Sequence, residues 1–90
     1  MNFTALDFET ANQTRASVCA IGLLRVEGGI VKARIHQLIR PDSPFNYMCT
    51  MVHGIREFDV RNAPSFPEFW EEIRGYFGDN VVAHNAPFDI

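Results

Sequence analysis

Asp7 and Glu9 stand two residues apart in the apolar run Phe3-Thr4-Ala5-Leu6-Asp7-Phe8-Glu9. In an extended chain alternate side chains point the same way, which puts both carboxylates on one side, about 6.5 to 7 Å apart at the backbone. Charged groups on an apolar strand are costly unless they face water or cations. An all-oxygen donor pair suits hard divalent ions, Mg²⁺ or Mn²⁺; the competing explanation is a strand end running into solvent. Asp89 is the second candidate. It falls in the first turn of an expected helix, where an acid already gains from the helix N-terminus. His84-Asn85 lies just before it, and His84 can either orient a carboxylate or phosphate or sit half-buried with its bonds satisfied. In His53-Gly54-Ile55, the glycine allows a turn that brings backbone close to a ligand.

Other chemistries find less support. Cys19, Cys49, His53 and His84 lack the paired spacing of a zinc site. No glycine-rich phosphate loop is present, since Gly28-Gly29 reads as a turn, and no serine sits on a nucleophile elbow. Arg15, Arg40, Arg56 and Arg61 are dispersed.

The elements that must position these residues follow from periodicity. Phe3–Glu9 reads as a strand, and Ser17–Glu27 as a second one rich in Val, Ile and Leu. Gly28-Gly29 turns the chain into a third strand from Ile30 to about Ile39. There Val31, Ala33 and Ile35 alternate with Lys32, Arg34 and His36, one face covered and one wetter. Pro41 and Pro44 open a loop, and short helical turns are expected around residues 47–53 and 57–60. Ser65-Phe66-Pro67-Glu68 is a capping-box pattern. Phe66, Phe69, Trp70, Ile73 and Phe77 then recur at helical spacing up to Gly78. Val81-Val82-Ala83 reads as a doubly buried parallel strand, and Asn85 as the cap of a helix opening near Ala86 and Pro87. Three antiparallel strands, a helix, a parallel strand and the start of the next helix make the first half of an α/β domain. A domain rarely closes on a freshly opened helix, so residues 1–90 are expected to be the N-terminal part of a single domain.

Ninety residues, 47% of them apolar, fit one small domain. The net charge is −3. Residues 1–45 carry five basic and four acidic groups, residues 46–90 three basic and seven acidic ones. This distribution argues against a nonspecific nucleic-acid binder held by a basic face, but not against an enzyme meeting phosphates through bound cations. No apolar stretch reaches membrane-spanning length and the start lacks signal-peptide character, so a cytoplasmic protein without membrane contact is expected.

Ala5-Leu6-Asp7-Phe8-Glu9-Thr10 resembles the first motif of the DEDD family of 3′–5′ exonucleases, in which an Asp-x-Glu strand carries metal ligands. Val82-Ala83-His84-Asn85-Ala86-Pro87-Phe88-Asp89 resembles the second, His-Asn-x-x-Phe-Asp, and His53-Gly54-Ile55 matches a short signature between them. The chain resembles the proofreading exonuclease subunit or domain of bacterial replicative DNA polymerases and its free-standing relatives, with a ribonuclease H-like fold. A third motif, supplying a His or Tyr general base and a fourth acid, is not among these 90 residues.

The resemblance implies two-metal hydrolysis of phosphodiester bonds at the 3′ end of single-stranded nucleic acid, DNA before RNA, releasing nucleoside monophosphates. Asp7, Glu9 and Asp89 would be the catalytic acids holding two Mg²⁺ or Mn²⁺ ions. Thr10, His53, His84 and Asn85 would meet the substrate. Relatives often follow Thr with Thr-Gly-Leu, whereas this chain has Ala11-Asn12-Gln13, which leaves the choice of sugar open. Without the third motif the 90-residue chain is expected to be inactive or nearly so. A non-catalytic module binding nucleic acid or a polymerase on the same half-fold is the alternative. A DNA polymerase or other replication protein is the implied partner, and self-association is expected from uncovered apolar surface.

Overall fold

The structure, a computed structural model, describes residues 1–77 and 80–84. Strand β1 (Phe3–Thr10) pairs antiparallel with β2 (Val18–Glu27), and β2 pairs antiparallel with β3 (Ile30–Leu38). Gly28 and Gly29 make the hairpin turn with φ of 58° and 79°. Two consecutive positive φ values match the twist of the flanking strands and favour glycine at both positions. Strand β4 (Asn80–His84) pairs parallel with β1, giving the order β3-β2-β1-β4. The three antiparallel strands, the helix and the parallel strand expected from the sequence are all present, on a mixed sheet with flanking helices.

Three helices punctuate the crossover from β3 to β4: α1 (Tyr47–His53), α2 (Glu57–Val60) and α3 (Phe66–Ile73). The capping box of α3 forms as read. Ser65 N–H donates to Glu68 Oε1 at 2.9 Å, and Glu68 N–H donates to Ser65 Oγ at 3.4 Å. These bonds hold the Glu68 carboxyl below its ordinary range, through the Ser65 backbone first and its side chain second.

Alternation along β1 sends Leu6 and Phe8 to the α3 side, where they pack with Ile21, Leu23, Ile39, Phe69 and Ile73. Burying Phe69 and Ile73 contributes about 1.5 to 3 kcal/mol each. The 3₁₀ turn Arg74–Tyr76 is tied to the same sheet, since Thr4 Oγ1 donates to the Tyr76 carbonyl at 2.6 Å and receives Arg25 Nη1 at 3.1 Å. A second cluster joins Ala11, Cys19 and Val60 with Leu38, Phe45, Ile55 and Ala63.

Three expectations change. The α-helix stops at Ile73 rather than running to Phe77; Gly75, a poor helix former, sits in the 3₁₀ turn that replaces its last part. Phe66 and Trp70 stay largely outside the core, their rings 6.2 Å apart, and Trp70 meets Phe77 at 5.0 Å. Strand β4 is parallel but not doubly buried: Val81 is 45% exposed and Val82 57%, because β4 stands at the end of the described sheet. In β3, likewise, Val31 is exposed, and Ile35 is the apolar residue that reaches the core.

Candidate functional site

Asp7 lies opposite Gly22 on β2 and beside His84 on β4, and Glu9 lies opposite Ala20. Both acids therefore project from the sheet face opposite to Leu6 and Phe8. Asp7 is exposed and Glu9 half-buried. A register shift between Glu9 and Thr10 ends the regular ladder there, and such irregularities re-aim side chains. Among the described residues, the buried side-chain oxygens without a hydrogen-bond partner are Glu9 Oε2 and Thr10 Oγ1. Buried polar atoms nearly always find partners. Two consecutive residues lacking them, beside a solvent-facing carboxylate, fit a place where a hard cation or a polar ligand supplies the missing contact. The Cys19 thiol is pushed up to about 12 by burial first and by the charge of Glu9 second.

The backbone after β1 is held by several bonds. Asn46 N–H donates to the Ala11 carbonyl at 2.6 Å, and Ala11 N–H donates to the Ser17 carbonyl at 2.8 Å. Asn12 Oδ1 accepts from Thr14 N–H at 2.9 Å and Thr14 Oγ1 at 2.6 Å, while its amide donates to the Pro44 carbonyl at 2.8 Å. The Ala11-Asn12-Gln13 departure from the family pattern is thus an ordered turn built on Asn12. Ser17 completes it, its Oγ donating to the Thr14 carbonyl at 2.6 Å. Sequence reading missed both residues. Asn12 carried a signal as a turn former directly behind the acidic strand; Ser17 carried none.

His53 closes the site from α1. Asn46 caps that helix by accepting from Met48 N–H, and Gly54 ends it in the left-handed region at φ 76°. The turn places Ile55 N–H on His53 Nδ1 at 2.9 Å, while His53 Nε2 lies 2.9 Å from the Thr10 carbonyl and 3.8 Å from Cys19 Sγ. An Nδ1 that accepts fixes the tautomer: Nε2 carries the proton and donates to Thr10. His53 is therefore brought against the end of β1, engaged through both nitrogens.

Asp7, Glu9, Thr10 and His53 come together in the structure. His84 is brought beside Asp7 by strand pairing. Asn85 and Asp89, and the helix expected to begin there, lie outside the described residues. Among the described residues no cluster of three His, Cys, Asp or Glu side chains forms a complete metal site, and no helix is long and apolar enough to cross a membrane.

Comparison with known proteins agrees with this arrangement. The profile of the RNase T exonuclease family matches residues 4–90. The chain is 32% identical over 90 residues to a PolC-type DNA polymerase III of Thermotoga maritima, covering 97% of this chain and 7% of that protein. It is 30% identical over 94 residues to the DNA polymerase III subunit epsilon of Haemophilus influenzae, covering 94% of this chain and 37% of the relative. Among solved structures it resembles Exonuclease X in complex with 5′ overhanging duplex DNA, with a TM-score of 0.76 and 30% identity over 97% of this chain and 51% of that one. A full-length 3′-exonuclease shares the fold at 14% identity and a TM-score of 0.66. The chain thus spans 7% to 51% of the length of these three closer matches. Its acidic strand, its sheet order and these likenesses together place it in the exonuclease family, on the ribonuclease H-like fold of the DEDD 3′–5′ exonucleases.

Proposed function

We propose that the chain is the N-terminal part of a metal-dependent exonuclease domain that removes nucleoside monophosphates from the 3′ end of single-stranded nucleic acid, DNA in the first instance. The observation that carries this reading is the pair of partnerless buried oxygens, Glu9 Oε2 and Thr10 Oγ1, next to exposed Asp7. Family membership supports it, since exonucleases of this type generally use divalent ions.

Asp7 and Glu9, with Asp89, would hold Mg²⁺ or Mn²⁺. Such ions, when bound, acidify a water and neutralise charge on the phosphate. The chain's own residues prepare that chemistry. Asp7 presents its carboxylate to solvent, while Glu9 keeps one oxygen shielded from water. Thr10 ends β1 with its hydroxyl unspent, and His53 holds its carbonyl in place. Together with His84 and Asn85 these residues would surround the terminal nucleotide. A general base is not among the assigned residues, so the 90-residue chain alone should turn over very slowly. Likeness to polymerase III proteins supports a replicative polymerase as partner, and exposed Tyr47, Met48, Met51 and Val52 on α1 support self-association.

Titration with Mn²⁺ followed by NMR tests the reading. Paramagnetic broadening should centre on Asp7, Glu9 and Thr10, and Asp7→Asn should weaken it about tenfold or more. Broadening spread evenly over the surface carboxylates, or none, would favour a non-catalytic nucleic-acid- or polymerase-binding module instead.

A further inference from the structure

The face that bears Asp7 continues across the sheet. Register aligns two rows on it, Ala5–Leu24–Arg34 and Asp7–Gly22–His36. Directly opposed residues in antiparallel strands share a face, and these six line a groove of about 440 Å³. Gly22 is its floor. A Cβ placed there would meet Asp7 Cβ at 3.7 Å, an ordinary contact, and Gly22 has no left-handed φ. Neither crowding nor backbone strain therefore calls for glycine at this position. Its effect is to leave open the space between β1 and β3, whose backbones lie two strand spacings, about 10 Å, apart.

The far wall of the groove carries one fixed cation, Arg34, beside His36. Arg34 and His36 are exposed, and among the described residues neither side chain makes a hydrogen bond or ion pair. Arg34 offers a planar fork that fits phosphate oxygens. The chain as a whole is acidic, so this wall is not part of a general basic coat. A ligand complementary to the groove carries anionic charge toward β3 while its other end lies against the carboxylates of β1.

We propose that this groove is a backbone track for single-stranded nucleic acid, in which Arg34 and His36 bind phosphates on the 5′ side of the terminal nucleotide at Asp7 and Glu9. The proposal rests on the exonuclease reading and adds to it a contact surface on β2 and β3. Because phosphate contacts carry no sequence information, the track accepts any base order. The two walls differ in what they require: a phosphate beside Asp7 and Glu9 needs a divalent ion, while one lying on Arg34 does not.

The test is binding of a fluorescein-labelled single-stranded oligonucleotide to the 90-residue chain in Ca²⁺, across a range of salt. Arg34→Gln should weaken binding about tenfold for every sequence, and should lower the slope of log K against log salt by about 0.7, the value for one lost phosphate contact. Gly22→Val should weaken binding at least as much while leaving the circular dichroism spectrum unchanged. Arg74→Gln, beyond α3 on the other side of the sheet, should have no effect. Wild-type affinity in both groove variants, equal loss in Arg74→Gln, or full displacement by equimolar mononucleotide would each overturn the track. A wild-type chain that fails to bind the strand, yet shows Mn²⁺ broadening at Asp7, overturns the track and spares the exonuclease reading; failure of both measurements removes both.

Discussion

The two faces of the sheet are made by the same strands and behave oppositely. On the α3 side, Leu6, Phe8, Ile21 and Leu23 are interlocked with Phe69 and Ile73. On the other side, Asp7, Gly22, Arg34 and His36 border open space, and the buried Glu9 Oε2 lacks a partner. Adjacent residues of one strand thus alternate between holding the fold and presenting chemistry. A period of two lets a strand of eight residues do both, because changes on one face leave the other face's contacts intact.

The largest test of this division is Phe69→Ala. It should cost about 3 to 5 kcal/mol in urea unfolding, because the helix face loses its central ring and a cavity remains. In a domain this small that loss would leave little folded protein. A loss below about 1 kcal/mol would show that α3 is not what secures the sheet. Ser65→Ala should cost about 1 kcal/mol by the same measurement, through loss of the helix cap. The capping carboxylates add a pH signature. Asp59 is held below its ordinary value by the Arg56 backbone N–H first, as Glu68 is by that of Ser65. Their folded pKa values are depressed, so their contribution is complete above the ordinary carboxylate range and is lost as pH falls through and below it. In Glu68→Gln the acid limb of a thermal-melting profile should be shallower. The smallest expected effect lies on the open face: Asp7→Asn should move unfolding by no more than about 0.5 kcal/mol while weakening Mn²⁺ broadening nearby about tenfold or more. A destabilisation comparable to that of Phe69→Ala would mean that the two faces are not separable.

Much of this division was legible in the letters. The succession of elements along the chain, the Gly28-Gly29 turn, the Ser65–Glu68 cap and the shared face of Asp7 and Glu9 depend on local periodicity and turn chemistry, which a single sequence carries. What escaped it depended on distant partners. Val81 and Val82 look like interior strand residues, yet their exposure is decided by what lies beside β4 rather than by their own type. Trp70 fits the helical apolar stripe, but the sheet beneath α3 covers Phe69 and Ile73 and stops short of it. The Asn12–Pro44 bond joins the turn after β1 to the loop after β3, and the groove over Gly22 needs three strands in register. Neither is encoded within any one window of the chain.

The parallel pairing of β1 with β4 has a kinetic consequence. The hairpin of β2 and β3 closes over two glycines and can form on the microsecond scale. Thr4 meets Val81, by contrast, only after the intervening chain has been gathered into helices and turns. Long-range pairing of this kind slows folding, since the entropy of closing the loop is lost before the contacts reward it. Pairing of the strand that leads into His84 is therefore expected to be slower than closure of the meander, which sets Asp7 and Glu9 on a ladder without needing β4.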